Sequence, residues 1–79
     1  MERIEFEKEM SWFLNYYDVV LNKTQTTVWF NNFSKLDQTH FNKMLNLHIK
    51  TDADPRFPAI GKITMLISKA KTVSGWFPS

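Results

Sequence analysis

The chain has no cysteine, only two glycines and three prolines, and no long apolar run. Each shortage excludes something. Without cysteine there is neither a disulfide nor a thiolate metal site. That absence also fits a cytoplasmic setting. Two isolated glycines, Gly61 and Gly75, cannot build a glycine-rich phosphate loop. No stretch reaches the roughly 18 apolar residues that a membrane-spanning helix needs, so no membrane role is expected. The first residues, Met1-Glu2-Arg3-Ile4-Glu5, are charged and do not read as a signal peptide.

The charge balance is nearly even. A net charge of +2 is far from the dense basic patch of a dedicated nucleic-acid binder. Glu2, Glu5, Glu7 and Glu9 make the start acidic. Lys50, Arg56, Lys62, Lys69 and Lys71 make the end basic. A solvated surface accounts for this asymmetry.

What the chain has in quantity is aromatic residues. Seven Phe, three Trp and two Tyr stand in 79 residues. A single domain this small has a marginal core, and large rings are the means of enlarging it.

Apolar spacing predicts four helices and therefore an all-α bundle. Over residues 4–21, Phe6, Met10, Phe13, Leu14, Tyr17 and Leu21 fall within an arc of roughly 80–100° on a helical wheel. Trp12, Tyr16 and Val19 form a second stripe on nearly the opposite side. That stripe either packs against a returning tail or serves as a partner surface. Asn22 is expected to end this helix and Thr24 to cap the next. The second helix is expected over 25–33 or 34. Its β-branched and aromatic content would suit a strand, but Trp29, Phe33 and Leu36 share a helical face.

Asp37 is a good N-cap for a third helix over 38–50. Phe41, Met44, Leu45 and His48 make its apolar face, with Ile49 beside them. Asn42, Lys43, Asn46 and Lys50 make its polar face. Residues 51–58 form a loop with two prolines, and Pro55 and Pro58 push the preceding Asp54 and Phe57 out of helical geometry. Pro58 is expected at the first position of the last helix, which is placed from about Ala59 to Lys71. Its inward side would be Ile60, Ile63, Leu66, Ile67 and Ala70. Gly61 suggests a close approach by another segment. Residues 72–79 form a short aromatic tail containing Trp76 and Phe77. Residues 1–71 are thus read as one four-helix domain. Its core is assigned to Trp29, Phe33, Phe41, Leu45, Phe57, Ile63 and Ile67, with Phe57 plugging the space between helices.

Catalytic chemistry finds no support in these residues. His40 and His48 are separated by roughly 12 Å along one helix, too far to share a metal. Asp52 and Asp54 read as turn formers. No nucleophile has a base beside it, so neither an enzyme nor a cofactor is expected. A DNA-binding reading is also available. The second and third helices meet at a short turn, as in a helix-turn-helix. Gln38, Asn42, Lys43 and Asn46 would then face a groove, with Lys35 and Lys50 on phosphates.

One further pattern spans roughly residues 6 to 70. It runs from Phe13 and Tyr17 through Trp29, Leu36, Phe41 and His48 to Arg56-Phe57-Pro58-Ala59-Ile60-Gly61-Lys62-Ile63. This pattern resembles the N-terminal domain of phage replicative helicase loader/inhibitor proteins. In that family a tryptophan in the second helix is followed by a Phe-Pro-Pro-(Ser/Thr)-Ile-type turn; Ala59 stands here where the family often has a second proline or a hydroxyl residue. The resemblance implies a small helical protein of a phage infecting a Gram-positive host. Such a protein binds the replicative helicase, or the protein that loads it, and holds or delivers it. Combined with the residue reading, it makes Trp12, Tyr16, Val19, Lys43, Arg56, Trp76 and Phe77 the candidate partner-binding residues. A small phage or mobile-element inhibitor of another host protein is the neighbouring expectation.

Overall fold

A computed structural model describes residues 1–67; the expected end of the last helix and the tail with Trp76 and Phe77 lie outside the described residues. Among the described residues there are four helices and no strand. They are α1 (Arg3–Tyr17), α2 (Lys23–Phe33), α3 (Gln38–Thr51) and α4 (Ile60–Thr64). No helix among them is long and apolar enough to cross a membrane.

Local signals fix most of the helix ends. The Glu2 backbone N–H donates to the Glu5 carboxylate at 2.8 Å and closes the start of α1. Asp18 then ends it in the left-handed region, with φ 56°. The Asp18 N–H donates to Asn15 O at 3.2 Å and the Val19 N–H to Leu14 O at 3.1 Å. This is the Schellman arrangement, which needs a left-handed residue. Aspartate adopts that conformation more readily than most side chains. The expected continuation of α1 to Leu21 is therefore incorrect. Leu21 packs against the core from the connecting loop instead.

Asn22 starts α2 rather than ending α1. Its Oδ1 accepts the Gln25 N–H at 2.8 Å, and the Gln25 side chain accepts the Asn22 N–H at 3.0 Å. This reciprocal box replaces the expected cap at Thr24. The Thr26 and Thr27 hydroxyls donate to the carbonyls one turn back, at 2.9 and 3.0 Å. Their hydroxyls are thereby satisfied within a helix. Asp37 caps α3 as expected, accepting the His40 N–H at 2.7 Å.

α3 packs against α1 and α4. Phe41, Met44, Leu45, Leu47 and His48 are all buried on it. Leu47 lies outside the apolar face expected from spacing. It sits on the His40 side of α3, where His40 Nε2 is 3.1 Å from the Ile67 carbonyl. An inner helix needs two apolar sides, and its sequence periodicity is correspondingly blurred.

The core is a lattice of rings. Phe6, Phe13, Phe33 and Phe41 are fully buried with Met44, Leu45 and Ile63. Phe41 stacks on Phe6 at 5.6 Å and meets Phe33 at 5.1 Å. Such pairs add stabilisation beyond their buried area. Phe30 closes one edge, with Phe6 at 5.2 Å and the Arg3 guanidinium 5.1 Å from its ring centre.

Phe57 lies half-buried in the loop between α3 and α4, against Phe13, Tyr17 and Trp29 at 5.7, 5.6 and 5.4 Å. Ile67 is also half-buried against the core. Two expectations fail nearby. Ile60, not Pro58, takes the first position of α4 after the Ala59 cap, so Pro58 is buried two positions before that first residue. Among the described residues a Cβ on Gly61 would meet nothing within 4 Å, so none of them makes the expected close approach.

Candidate protein-binding surface

α1 carries Trp12 and Tyr16 one turn apart. The structure treats the two differently. Tyr16 is 61% exposed, its ring 5.0 Å from Tyr17. Trp12 is half-buried, edge-on to Phe13 at 5.8 Å, and its indole N–H donates to Glu9 Oε1 at 2.9 Å. Val19 lies beyond the Asp18 stop, half-buried and off the helix. The expected single stripe is thus an exposed tyrosine, an anchored tryptophan and a loop valine.

Glu9 is the residue that apolar spacing missed. It is only 8% exposed. Its Oε1 also accepts the Asn42 amide at 2.7 Å, and Oε2 accepts the Gln38 amide at 2.8 Å. Asn46 in turn donates to Asn42 Oδ1 at 3.0 Å. Burial pushes the Glu9 carboxyl up. The hydrogen bonds from Asn42, Trp12 and Gln38, with attraction from Lys8, outweigh burial and hold it below its ordinary value of 4.5. The signal was present in α3. Gln38, Asn42 and Asn46 recur every four residues, which places three amides along one side of a helix. Asn42 and Asn46 are expected on the polar face of α3 and Gln38 beside a DNA groove, but Gln38 and Asn42 reach Glu9 on α1, and Asn46 bonds Asn42.

The second cluster is the proline loop. Asp52 accepts the Asp54 N–H at 2.9 Å, and Asp54 accepts the Arg56 N–H at 3.0 Å. Two successive Asx turns follow, as read from the aspartates. The Arg56 guanidinium also grips Asp54, with Nη2–Oδ2 at 2.8 Å and Nε–Oδ1 at 3.1 Å. Side-chain and backbone bonds from Arg56 hold the Asp54 carboxyl well below the usual range. Lys62 Nζ reaches Asp52 Oδ2 at 3.3 Å and ties the loop to α4.

Arg56 itself is largely exposed, at 86% of its side chain. It approaches the α1 stripe through its neighbour Phe57, whose ring touches Tyr17, which in turn touches Tyr16. Burial, then Tyr16 and the charges of Asp52 and Asp54, raise the Tyr17 phenol. Trp12 lies one turn from Tyr16 along α1. Lys43 belongs to α3, half-buried and itself engaged.

His48 is buried against Phe13 and Tyr17, at 6.3 and 6.4 Å, and its Nδ1 is 4.0 Å from Asp52 Oδ2. Burial lowers its pKa against the opposing pull of Asp52. Among the described residues no three His, Asp or Glu side chains come together as a metal site. No protein-family model, characterised protein or solved structure matches this chain.

Proposed function

We propose that this domain works by binding another protein, as a phage-type replication modulator that loads or inhibits a replicative helicase or acts on its loader. The observation that carries the binding reading is the exposed Tyr16 one turn from the anchored Trp12, and the largely exposed Arg56 guanidinium in the proline loop is a further candidate contact. Tyr, Trp and Arg are the residue types that dominate binding hot spots. Holding a tyrosine out of a core otherwise built from rings is hard to account for by stability alone. The choice of helicase over other partners rests on the resemblance carried by Trp29 and the Phe57-Pro58-Ala59-Ile60 turn.

The DNA reading loses ground on one point. Gln38, Asn42 and Asn46, its base readers, are engaged with Glu9 and with one another. Reaching a groove would require breaking bonds to a buried carboxylate.

The test is retention of a purified Gram-positive replicative helicase, and separately of its loader, by the immobilised intact chain. Wild type would be compared with a Trp12→Ala/Tyr16→Ala double variant at low and high salt. Retention by wild type and its loss in the variant are expected, with circular dichroism unchanged. Retention of neither protein, beside salt-sensitive retention of duplex DNA, would reject the helicase reading and reinstate the DNA one. Retention by both forms would move the binding face elsewhere.

A further inference from the structure

Glu9 is buried, charged and surrounded by three neutral donors. A carboxylate only accepts hydrogen bonds. The indole N–H of Trp12 and the amides of Gln38 and Asn42 only donate at these contacts. Asn46 fixes the sense of the cluster. By donating to Asn42 Oδ1 at 3.0 Å, it turns the Asn42 NH2 toward Glu9. The order runs Asn46 to Asn42 to Glu9, and Trp12 joins from α1. Core packing does not require this arrangement, because an apolar side chain at position 9 would fill the space without desolvating a charge.

We infer that Glu9 is a positioning residue for the α1 binding face. It holds the Trp12 indole with its N–H turned inward and couples that orientation to α3. The inference rests on the protein-binding reading above and adds to it a statement about the partner's chemistry. With the indole donor already engaged, Trp12 offers a partner carbon surface and ring face. The matching group is an apolar side chain or the stem of a lysine or arginine, not a hydrogen-bond acceptor. The exposed Tyr16 supplies the polar contact. Fixing the tryptophan before association also removes the ordering cost of one large side chain.

Glu9→Leu is the test, because it removes both acceptor oxygens and keeps a side chain of similar bulk. The readout is indole N–H exchange in the 15N-labelled intact chain. The Trp12 resonance is assigned by its disappearance in Trp12→Phe, and Trp29 on α2 serves as the internal reference. In wild type the Trp12 indole should exchange several-fold more slowly than a free indole. In Glu9→Leu that protection should vanish while Trp29 is unchanged. Affinity for the purified helicase should then fall about 3- to 10-fold, the effect of re-ordering one side chain.

An unchanged Trp12 indole in folded Glu9→Leu overturns the inference, as does a released indole with unchanged affinity. If Glu9→Leu does not fold, wild-type exchange decides. Free-indole exchange of Trp12 in wild type overturns the inference, and slow exchange supports it. The binding reading fails by a separate sign: Tyr16→Ala that binds the helicase as tightly as wild type, with indole protection intact.

Discussion

Two carboxylate clusters sit in this small protein, and they show opposite ways of holding a negative charge. At the α1–α3 contact, Glu9 is buried and its hydrogen-bond partners are neutral. In the proline loop, Asp52 and Asp54 are bonded to Lys62 and Arg56 at the surface. The loop has the larger display of ion pairs and the smaller stake in stability. Exposed pairs gain little over water and are screened by salt. The buried carboxylate contributes through directionality. Removing any one partner leaves a group out of water and unmatched. What fastens the loop is Phe57, whose ring sits among Phe13, Tyr17 and Trp29.

The largest expected effect sharpens this contrast. Phe57→Ala should destabilise by about 3 kcal/mol, the low end for loss of a core ring, since Phe57 is only half-buried. A fall in the urea midpoint at constant slope would register it. A midpoint within error of wild type would mean that the ion pairs, not the ring, hold the loop. Next comes Asn42→Ala, which deprives Glu9 of one donor and should cost about 1–3 kcal/mol. A loss that scales with added salt would show instead that Glu9 is solvated.

Acid should separate the clusters further. The folded His48 pKa is lowered by burial, so unfolding takes up a proton there as pH falls. Its contribution is present above about pH 6.5 and declines below, where the unfolded imidazole charges. His48→Gln should flatten the urea-midpoint profile between about pH 7 and 5. An unchanged slope there would place the proton uptake elsewhere. Glu9, Asp52 and Asp54 have depressed folded values, so their contribution is present above their ordinary values of 4.5 and 3.8 and is lost below them. The smallest effect belongs to Arg56→Ala, whose change in urea midpoint should lie within error and disappear at high salt. A clear loss of stability would contradict the ranking of the two clusters.

Much of the fold was legible because single residues decide it. Asp37 is a strong cap before the apolar positions Phe41, Met44 and Leu45, and the two prolines leave Phe57 no local partner. The buried set Trp29, Phe33, Phe41, Leu45 and Ile63 follows from helical spacing alone. The misreadings share a physical cause. Apolar spacing finds faces but not ends, and α1 stops at an aspartate whose left-handed backbone has no periodic signature. Nor does it show which polar face meets a neighbouring helix. Glu9 looked like one of several acidic residues near a helix start. Its partners Gln38 and Asn42 lie far along the chain, and only packing α1 on α3 brings them together. Leu47 was missed because an inner helix buries two sides, and nothing among the described residues explains Gly61.

The most direct measurement is the affinity of the intact chain for a purified Gram-positive replicative helicase, by calorimetric titration of wild type and Tyr16→Ala. Tyr16 is exposed, so its removal should leave the urea midpoint unchanged. The account predicts saturable binding by wild type and at least about a tenfold loss in the variant, as for a hot-spot residue. Equal affinity of the two chains, or no heat of binding from wild type, would contradict it.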